Sequence, residues 1–453
     1  MENPSDTVNP HYLSHVLATS TTRDVVVTED IVSGSGMKLL SKGARIDENT
    51  RERLLAHKLR LPLEDCVQVV DGVIPASFEP VAERLLAAHP LLKALCASSR
   101  GRTVSASVAS LALSLPMQSL LTVQSQFQQA RLDHFVGVAI LAFALARRLL
   151  PDQVDRHRML ATAGLVHDVG ELYISPDYLS KGSRLTPEGW RHIVTHPLVG
   201  HRVLCDMVGA GRSVAAAVLL HHERLNGFGY PRSVAGHAFA LDGQILAAAE
   251  WLMALVESGK SPLARARMAE RLVPGEFSEV LLQAVASAAR LHEDEEVELG
   301  EALPLEDAIP RIERLAATLS RFRSMREWID ERLTTADGEL REVLSSGVNR
   351  LVRIQTSFSS TGLDAQDPKH LMTELASLKQ PKVYTEVMTL IGELEWRMRE
   401  LERDQMLRSS RLLGRDNMAV VSDVIGRLKG LDPADDPVAP AIAALDPPSG
   451  FSR

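Results

Sequence analysis

The sequence predicts a mainly α protein with a small α+β module at its front and a helical bundle or coiled coil at its rear. Three observations carry this. Short apolar, β-branched runs broken by glycine occupy Val25 to Val73, and nearly every segment from Ala76 to about Leu291 repeats its apolar residues at helical spacing. Beyond Pro310 the chain turns rich in Arg, Glu and Leu and carries a heptad seam.

In chain order, residues 1–20 are polar and read as a flexible tail. The runs VVV and MKLL, divided by Gly34-Ser35-Gly36, read as two strands joined by a glycine turn. The glycines lack the rest of a phosphate-loop pattern, so the turn reading is preferred. A helix is predicted from about Asp47 to Lys58, then β-like pieces around Val67 to Val73. This module with its linker helix fills 21–100. A helical domain follows over 104–300, with Thr186-Pro187-Glu188 as a helix start and the acidic run 293–301 as a solvated loop. Residues 305–430 form a helical region in which Tyr384, Val387, Ile391, Leu394, Met398 and Leu401 make the seam. That seam packs inside its own bundle or pairs two protomers as a homodimer. The proline-rich tail 431–453 is expected to be disordered.

Composition narrows function. A chain of 453 residues with 45% hydrophobic and 24% charged residues can bury a sizeable core. The net charge of −8 argues against nucleic acid as the main partner. Cys66, Cys96 and Cys205 show no CxxC spacing, so neither a disulfide framework nor a thiolate zinc site is indicated. No signal peptide is visible, and the most apolar window, Val104 to Val123, is broken by Pro116. No membrane partner and a cytoplasmic location are therefore expected.

The chemistry lies in inward-facing histidines. His134 shares a helical stripe with Val138, Leu141 and Leu145, and His167 with Leu160 and Ala163. His222 lines up with Val214 and Val218, and Glu250 with Leu246 and Ala254. A single core histidine is commonly satisfied by a backbone carbonyl. Several imidazoles and carboxylates on separate helices each cost a few kcal/mol unless partnered, and a metal partners all of them at once. Nitrogen and oxygen donors without thiolate suit iron, manganese or zinc, and Asp168 can bridge two ions. Small residues at Ala161, Ala163 and Gly164 let another helix approach closely. Five further histidines (His157, His192, His201, His237, His292) read as structural or solvated.

Taken in order, His134, His167-Asp168, His196-Pro197, HHERLNGFGYP from His221 to Pro231, and Glu250 resemble the HD superfamily of metal-dependent phosphohydrolases, and within it the HD-GYP branch. The resemblance covers roughly 104–290 and implies an HD-type helical core that hydrolyses cyclic di-GMP to pGpG or GMP. It implies two divalent metal ions, iron or manganese: His134, His167, Asp168 and Glu250 at the first, and Asp168, His196, His221 and His222 at the second. His167 and Asp168 would be catalytic. Asn226, Gly227, Gly229, Tyr230 and Pro231 would shape a substrate loop, which also offers a surface for a protein partner.

The pattern breaks at Glu171, where the family usually has a lysine that approaches a substrate phosphate. An anion about 5 Å from a phosphate is repulsive by about 3 kcal/mol at an effective dielectric of 20. Lys181, Arg184, Arg224 and Lys260 are the candidate replacements. Glu250 stands where the family has aspartate, Asn226 replaces an aspartate, and Ala130 stands where three-metal members carry glutamate, which limits the expected centre to two ions. Three readings follow: a cyclic di-GMP phosphodiesterase, a metallophosphohydrolase for another phosphoester, or a signalling module without catalysis.

Overall fold

In this computed structural model, residues 8–97, 101–126, 129–179, 187–258, 261–273, 275–291, 305–359, 370, 373, 381–409 and 415–430 are described. The chain forms two compact units, Met1–Glu296 and Val297–Arg453.

Residues 10–20 correct the expectation of a flexible tail. They form α1 (Pro10–Ser20), with Pro10 in the first turn and Asn9 Oδ1 accepting from the amides of His11 and Tyr12 at 2.9 and 3.1 Å. The polar composition hid one apolar face: Tyr12, Leu13, Val16 and Leu17 are buried.

Four short strands follow: β1 (Val25–Val27), β2 (Ile31–Val32), β3 (Lys38–Leu40) and β4 (Val67–Val69). The glycine turn joins β2 to β3, with Gly36 at φ 92°, whereas the VVV run pairs antiparallel with β4 in the register Val25↔Val69. The predicted pairing of VVV with MKLL is thus corrected. Val25 and Val27 bury one face together with Val67 and Val69. The helix predicted over 47–58 is shorter, a 3₁₀ turn over Glu48–Thr50 and a helix over Arg51–Leu55.

The helical core contains α2 (Phe78–Ala88), α3 (Pro90–Cys96), α4 (Leu115–Gln126), α5 (Gln129–Leu149), α6 (Val154–Val166), α7 (His196–Cys205), α8 (Gly211–Leu219), α9 (Leu241–Ser258) and α10 (Glu279–Arg290), among shorter pieces. Every residue from Phe135 to Ala146 on α5 is buried, the mark of a central helix wrapped on all sides. A methyl on Gly164 would lie 2.7 Å from the Ala139 Cα, so α6 crosses α5 at backbone distance, as the small residues predicted. This close crossing brings His167, just past α6, against His134 on α5.

The second unit contains α11 (Leu305–Ser324), α12 (Arg326–Thr335), α13 (Gly338–Ser359), α14 (Pro381–Ser409) and α15 (Arg415–Lys429). Tyr384, Ile391, Leu394, Met398 and Leu401 on α14 are buried and Val387 is half-buried, with α11, α13 and α15 packed against that helix. The seam is covered within its own unit. Arg311–Glu395 at 2.6 Å and Arg350–Asp404 at 3.0 Å join neighbouring helices. The tail 431–453 and the acidic run 293–301 lie outside the described residues. Among the described residues, no helix is long and apolar enough to cross a membrane.

Candidate metal centre

The seven residues singled out come from helix ends as much as helix faces. His134 lies on α5 and Glu250 on α9, His196 opens α7, and His221-His222 follow α8. The HD doublet lies between two elements rather than within a helix. Helix α6 ends at Val166, and Asp168 (φ −97°, ψ 9°) leads a 3₁₀ turn over Val169–Tyr173. Gly170 explains the tight turn. A methyl there would run into the His196 carbonyl and lie 2.8 Å from the Gly200 amide, so only glycine lets the turn rest on α7.

Each buried imidazole is aimed by its Nδ1. That nitrogen donates to the carbonyl three residues back: His167 to Gly164 at 2.8 Å, His196 to Ile193 at 2.8 Å and His221 to Val218 at 2.6 Å. His134 Nδ1 instead faces Glu257 Oε1 at 2.9 Å. With the proton assigned to Nδ1, the Nε2 atoms of these four rings present lone pairs to the centre.

There the donors form two groups, His134, His167 and Glu250, and Asp168, His196, His221 and His222, with the ligand atoms of each within 4.8 Å of one another. Asp168 faces both. Its Oδ2 lies 3.3 Å from His167 Nε2 and 3.9 Å from His134 Nε2, and its Oδ1 lies 3.3 Å from His196 Nε2 and 3.5 Å from His221 Nε2.

The contents of this cluster fit cations. His134 and His167 meet Nε2 to Nε2 at 3.2 Å, and His196 and His221 at 3.0 Å, so neutral rings would oppose lone pairs. Glu250 Oε2 is buried without a hydrogen bond to any described residue, although both first-group Nε2 atoms lie 3.2 and 3.3 Å away.

The titration behaviour says the same. Burial opposes charge on His134 and His167, yet Glu250 and Asp168 outweigh it, raising His134 well above its ordinary value and His167 to about 10. Burial acts likewise on Asp168 and Glu250, and the facing imidazoles overcome it and hold both carboxyls well below the usual range. Burial, reinforced by the neighbouring imidazoles, lowers His221 to about 4 and lowers His222 strongly. Protons here neutralise buried carboxylates, a role divalent ions fill better.

The loop after His222 folds back over it. Tyr230 stacks on His222 with centroids 4.6 Å apart, its amide donates to the His222 carbonyl at 3.1 Å, and the Tyr230-Pro231 peptide is cis. Asn226 Oδ1 accepts from the Phe228 amide at 3.0 Å, and Gly227 takes φ 78°. Gly229 approaches the backbone of Glu223 and Arg224 so closely that any side chain would collide. Fully buried Glu223, which the sequence reading passed over, accepts from the amides of Arg232 at 2.7 Å and Val234 at 3.0 Å and ties the loop down.

The candidate replacement cations fare differently. Lys181, Arg184 and Lys260 lie outside the described residues. Arg224 is drawn instead to Glu276 at 3.5 Å and lies 5.1 Å over the Phe277 ring. The cation beside the centre is Arg131, which the sequence reading missed. It pairs through Nη1 with Glu171 Oε2 and lies 3.6 Å from Asp168 Oδ2. Its signal was its place one helical turn before His134, on the same face of α5. Glu257, seven residues past Glu250, and Gln124, whose Nε2 donates to the Asp168 carbonyl at 2.9 Å, were also missed.

Residues 80–272 match the HD domain family. The chain is 38% identical over 109 residues to a cyclic di-GMP phosphodiesterase of Pseudomonas aeruginosa, covering 24% of this chain and 26% of that protein. It is 30% identical over 157 residues to a 3'3'-cGAMP-specific phosphodiesterase of Vibrio cholerae, covering 33% of each. It is 29% identical over 129 residues to a cyclic di-GMP phosphodiesterase response regulator of Xanthomonas campestris, covering 28% and 32%. The chain thus spans about a quarter to a third of the length of these curated relatives.

Proposed function

For a chain whose residues 80–272 are an HD domain of the HD-GYP-like kind, we propose a metal-dependent phosphodiesterase that hydrolyses cyclic di-GMP to pGpG or GMP. The observation that carries this reading is Asp168, whose two oxygens face two separate donor groups. His134, His167, Asp168 and Glu250 would hold one divalent ion, and Asp168, His196, His221 and His222 the other, with iron or manganese suiting the mixed nitrogen and oxygen set. When bound, such a pair neutralises phosphate charge and activates water for in-line displacement at phosphorus.

The protein's own residues do the rest. Nδ1 hydrogen bonds to carbonyls fix the imidazoles of His167, His196 and His221. Glu223 holds the loop carrying Asn226, Gly227, Gly229, Tyr230 and Pro231, which would border the nucleotide. Hydrolysis of 3'3'-cGAMP is a second reading, favoured by the match to the Vibrio relative.

The test is turnover of each cyclic dinucleotide by manganese- or iron-loaded protein. Release of pGpG or GMP that vanishes in Asp168→Ala supports the reading. Full metal content with no hydrolysis of either nucleotide overturns it.

A further inference from the structure

We propose that Arg131 is the substrate-phosphate cation of this site and that Glu171 is its positioning residue, the two together replacing a lysine at 171. The inference rests on the phosphodiesterase reading above and deepens it.

Arg131 is a side chain only a fifth exposed, one turn before His134 on α5. Its guanidinium is always charged in a protein, and it lies against the carboxylates of Glu171 and Asp168. Its Nη1 is taken by Glu171 Oε2 and lies 3.6 Å from Asp168 Oδ2. Its Nε and Nη2 form no hydrogen bond with any described residue, so part of a five-donor fork remains for an incoming oxyanion. The position is specific: Asp168 Oδ2 is the oxygen that faces His134 and His167, so the guanidinium borders the first donor group rather than the second.

Glu171 cannot approach a phosphate favourably by itself, yet here its charge is spent on Arg131. The side chain that looked like a charge reversal is the clamp for a longer cation reaching in from another helix. Arrangement by a carboxylate suits a guanidinium, whose planar fork can give one edge to Glu171 and another to phosphate.

The experiment uses the full-length manganese-loaded protein. It reads steady-state kinetics on cyclic di-GMP, calorimetric binding of inorganic phosphate, and metal content. Arg131→Gln leaves Glu171 buried and unpaired, so Arg131→Gln/Glu171→Gln is the control that strands neither charge. Both variants are expected to keep their metal, to raise KM more than they lower kcat, and to weaken phosphate binding about tenfold. Arg131→Lys should restore part of the affinity. Glu171→Gln should raise KM less than Arg131→Gln does, and Glu171→Asp should recover most of it, because a carboxylate is what aims the fork.

Unchanged KM and phosphate affinity in the double variant, with wild-type turnover intact, overturn the inference and leave the phosphodiesterase reading standing. Loss of metal in the double variant also overturns it, since Arg131 would then serve the metal ligands. Arg131-dependent phosphate binding in a wild type that hydrolyses no cyclic dinucleotide overturns the substrate reading and supports the phosphate role.

Discussion

His196 and His221 point their Nε2 atoms at each other across 3.0 Å while each Nδ1 donates to a backbone carbonyl. Two neutral rings so held set lone pair against lone pair, which a protein interior does not maintain without a cation between them. The same opposition recurs between His134 and His167, and Asp168 joins the two pairs.

From this sharing, ligand deletions are predicted to be unequal. Wild-type protein should carry about two ions per chain, and His134→Ala or Glu250→Ala about one. Asp168→Ala should carry close to none, because it removes a ligand from both groups at once. Metal analysis after gel filtration reads the numbers. Equal loss in all three variants would contradict a bridging role.

Metal uptake should release protons. His167 is raised to about 10 and His134 is raised as well, so the metal-free protein holds protons at this group that ligation must displace. Affinity therefore climbs with pH toward 10. The sign for stability runs the other way. In metal-free protein the charged His167 contributes stability that is full below 6.5 and is lost as pH rises through about 10. Calorimetric titration in buffers of different ionisation enthalpy should show net proton release as the first group binds its ion. Heat independent of the buffer would refute it.

Glu257 supports His134 from behind, with its Oε1 2.9 Å from Nδ1. Outer carboxylates of this kind orient the ring and raise its basicity. Glu257→Gln should weaken the first ion by about 10- to 100-fold and leave the second unchanged. Competition against a chelator separates the two affinities. A variant that holds both ions as tightly as wild type would remove Glu257 from the centre.

How much of this the sequence disclosed follows from where information sits along the chain. The ligands were legible because each lies in a short marked stretch, HD, HP and HH leading to GYP, and the order of those stretches survives folding. Glu171 was legible as a departure but not as half of a pair, since Arg131 is forty positions away and the two meet only when the 3₁₀ turn after Asp168 packs near α5. Glu257 escaped because its role depends on the direction in which His134 points. Helix α1 escaped for a different reason: its polar residues dominate a count, while burial is decided by the single face that holds Tyr12, Leu13, Val16 and Leu17.

Gly170→Ala tests the join between the doublet and α7. The new methyl would meet the His196 carbonyl and the Gly200 amide, both backbone, and neither can rotate away. Helix α7 must move, and His196 moves with it. A cost of about 3 kcal/mol, the upper end for overpacking, is predicted, together with reduced metal content. Thermal unfolding with metal analysis checks both. A variant with wild-type Tm and full metal content would show that the turn has room the backbone positions deny.

The second unit offers a prediction independent of metal. Gln405 on α14 is 5% exposed, and its Nε2 has no hydrogen-bond partner among the described residues. It borders a cavity of about 30 Å³ lined by Leu344, Leu351, Val421 and Ile425. A buried amide that donates to nothing costs about 1–3 kcal/mol, while an unbranched apolar side chain of similar length keeps the packing. Gln405→Met should therefore stabilise this unit by about 1 kcal/mol. Gln405→Ala should destabilise it, since that change enlarges the cavity as it removes the amide. Chemical denaturation followed through Trp328, which lies on α12 in the same unit, gives both values. Loss of stability in Gln405→Met would mean that the amide has a water partner in the adjoining space, and the orphaned donor would no longer count against the native sequence.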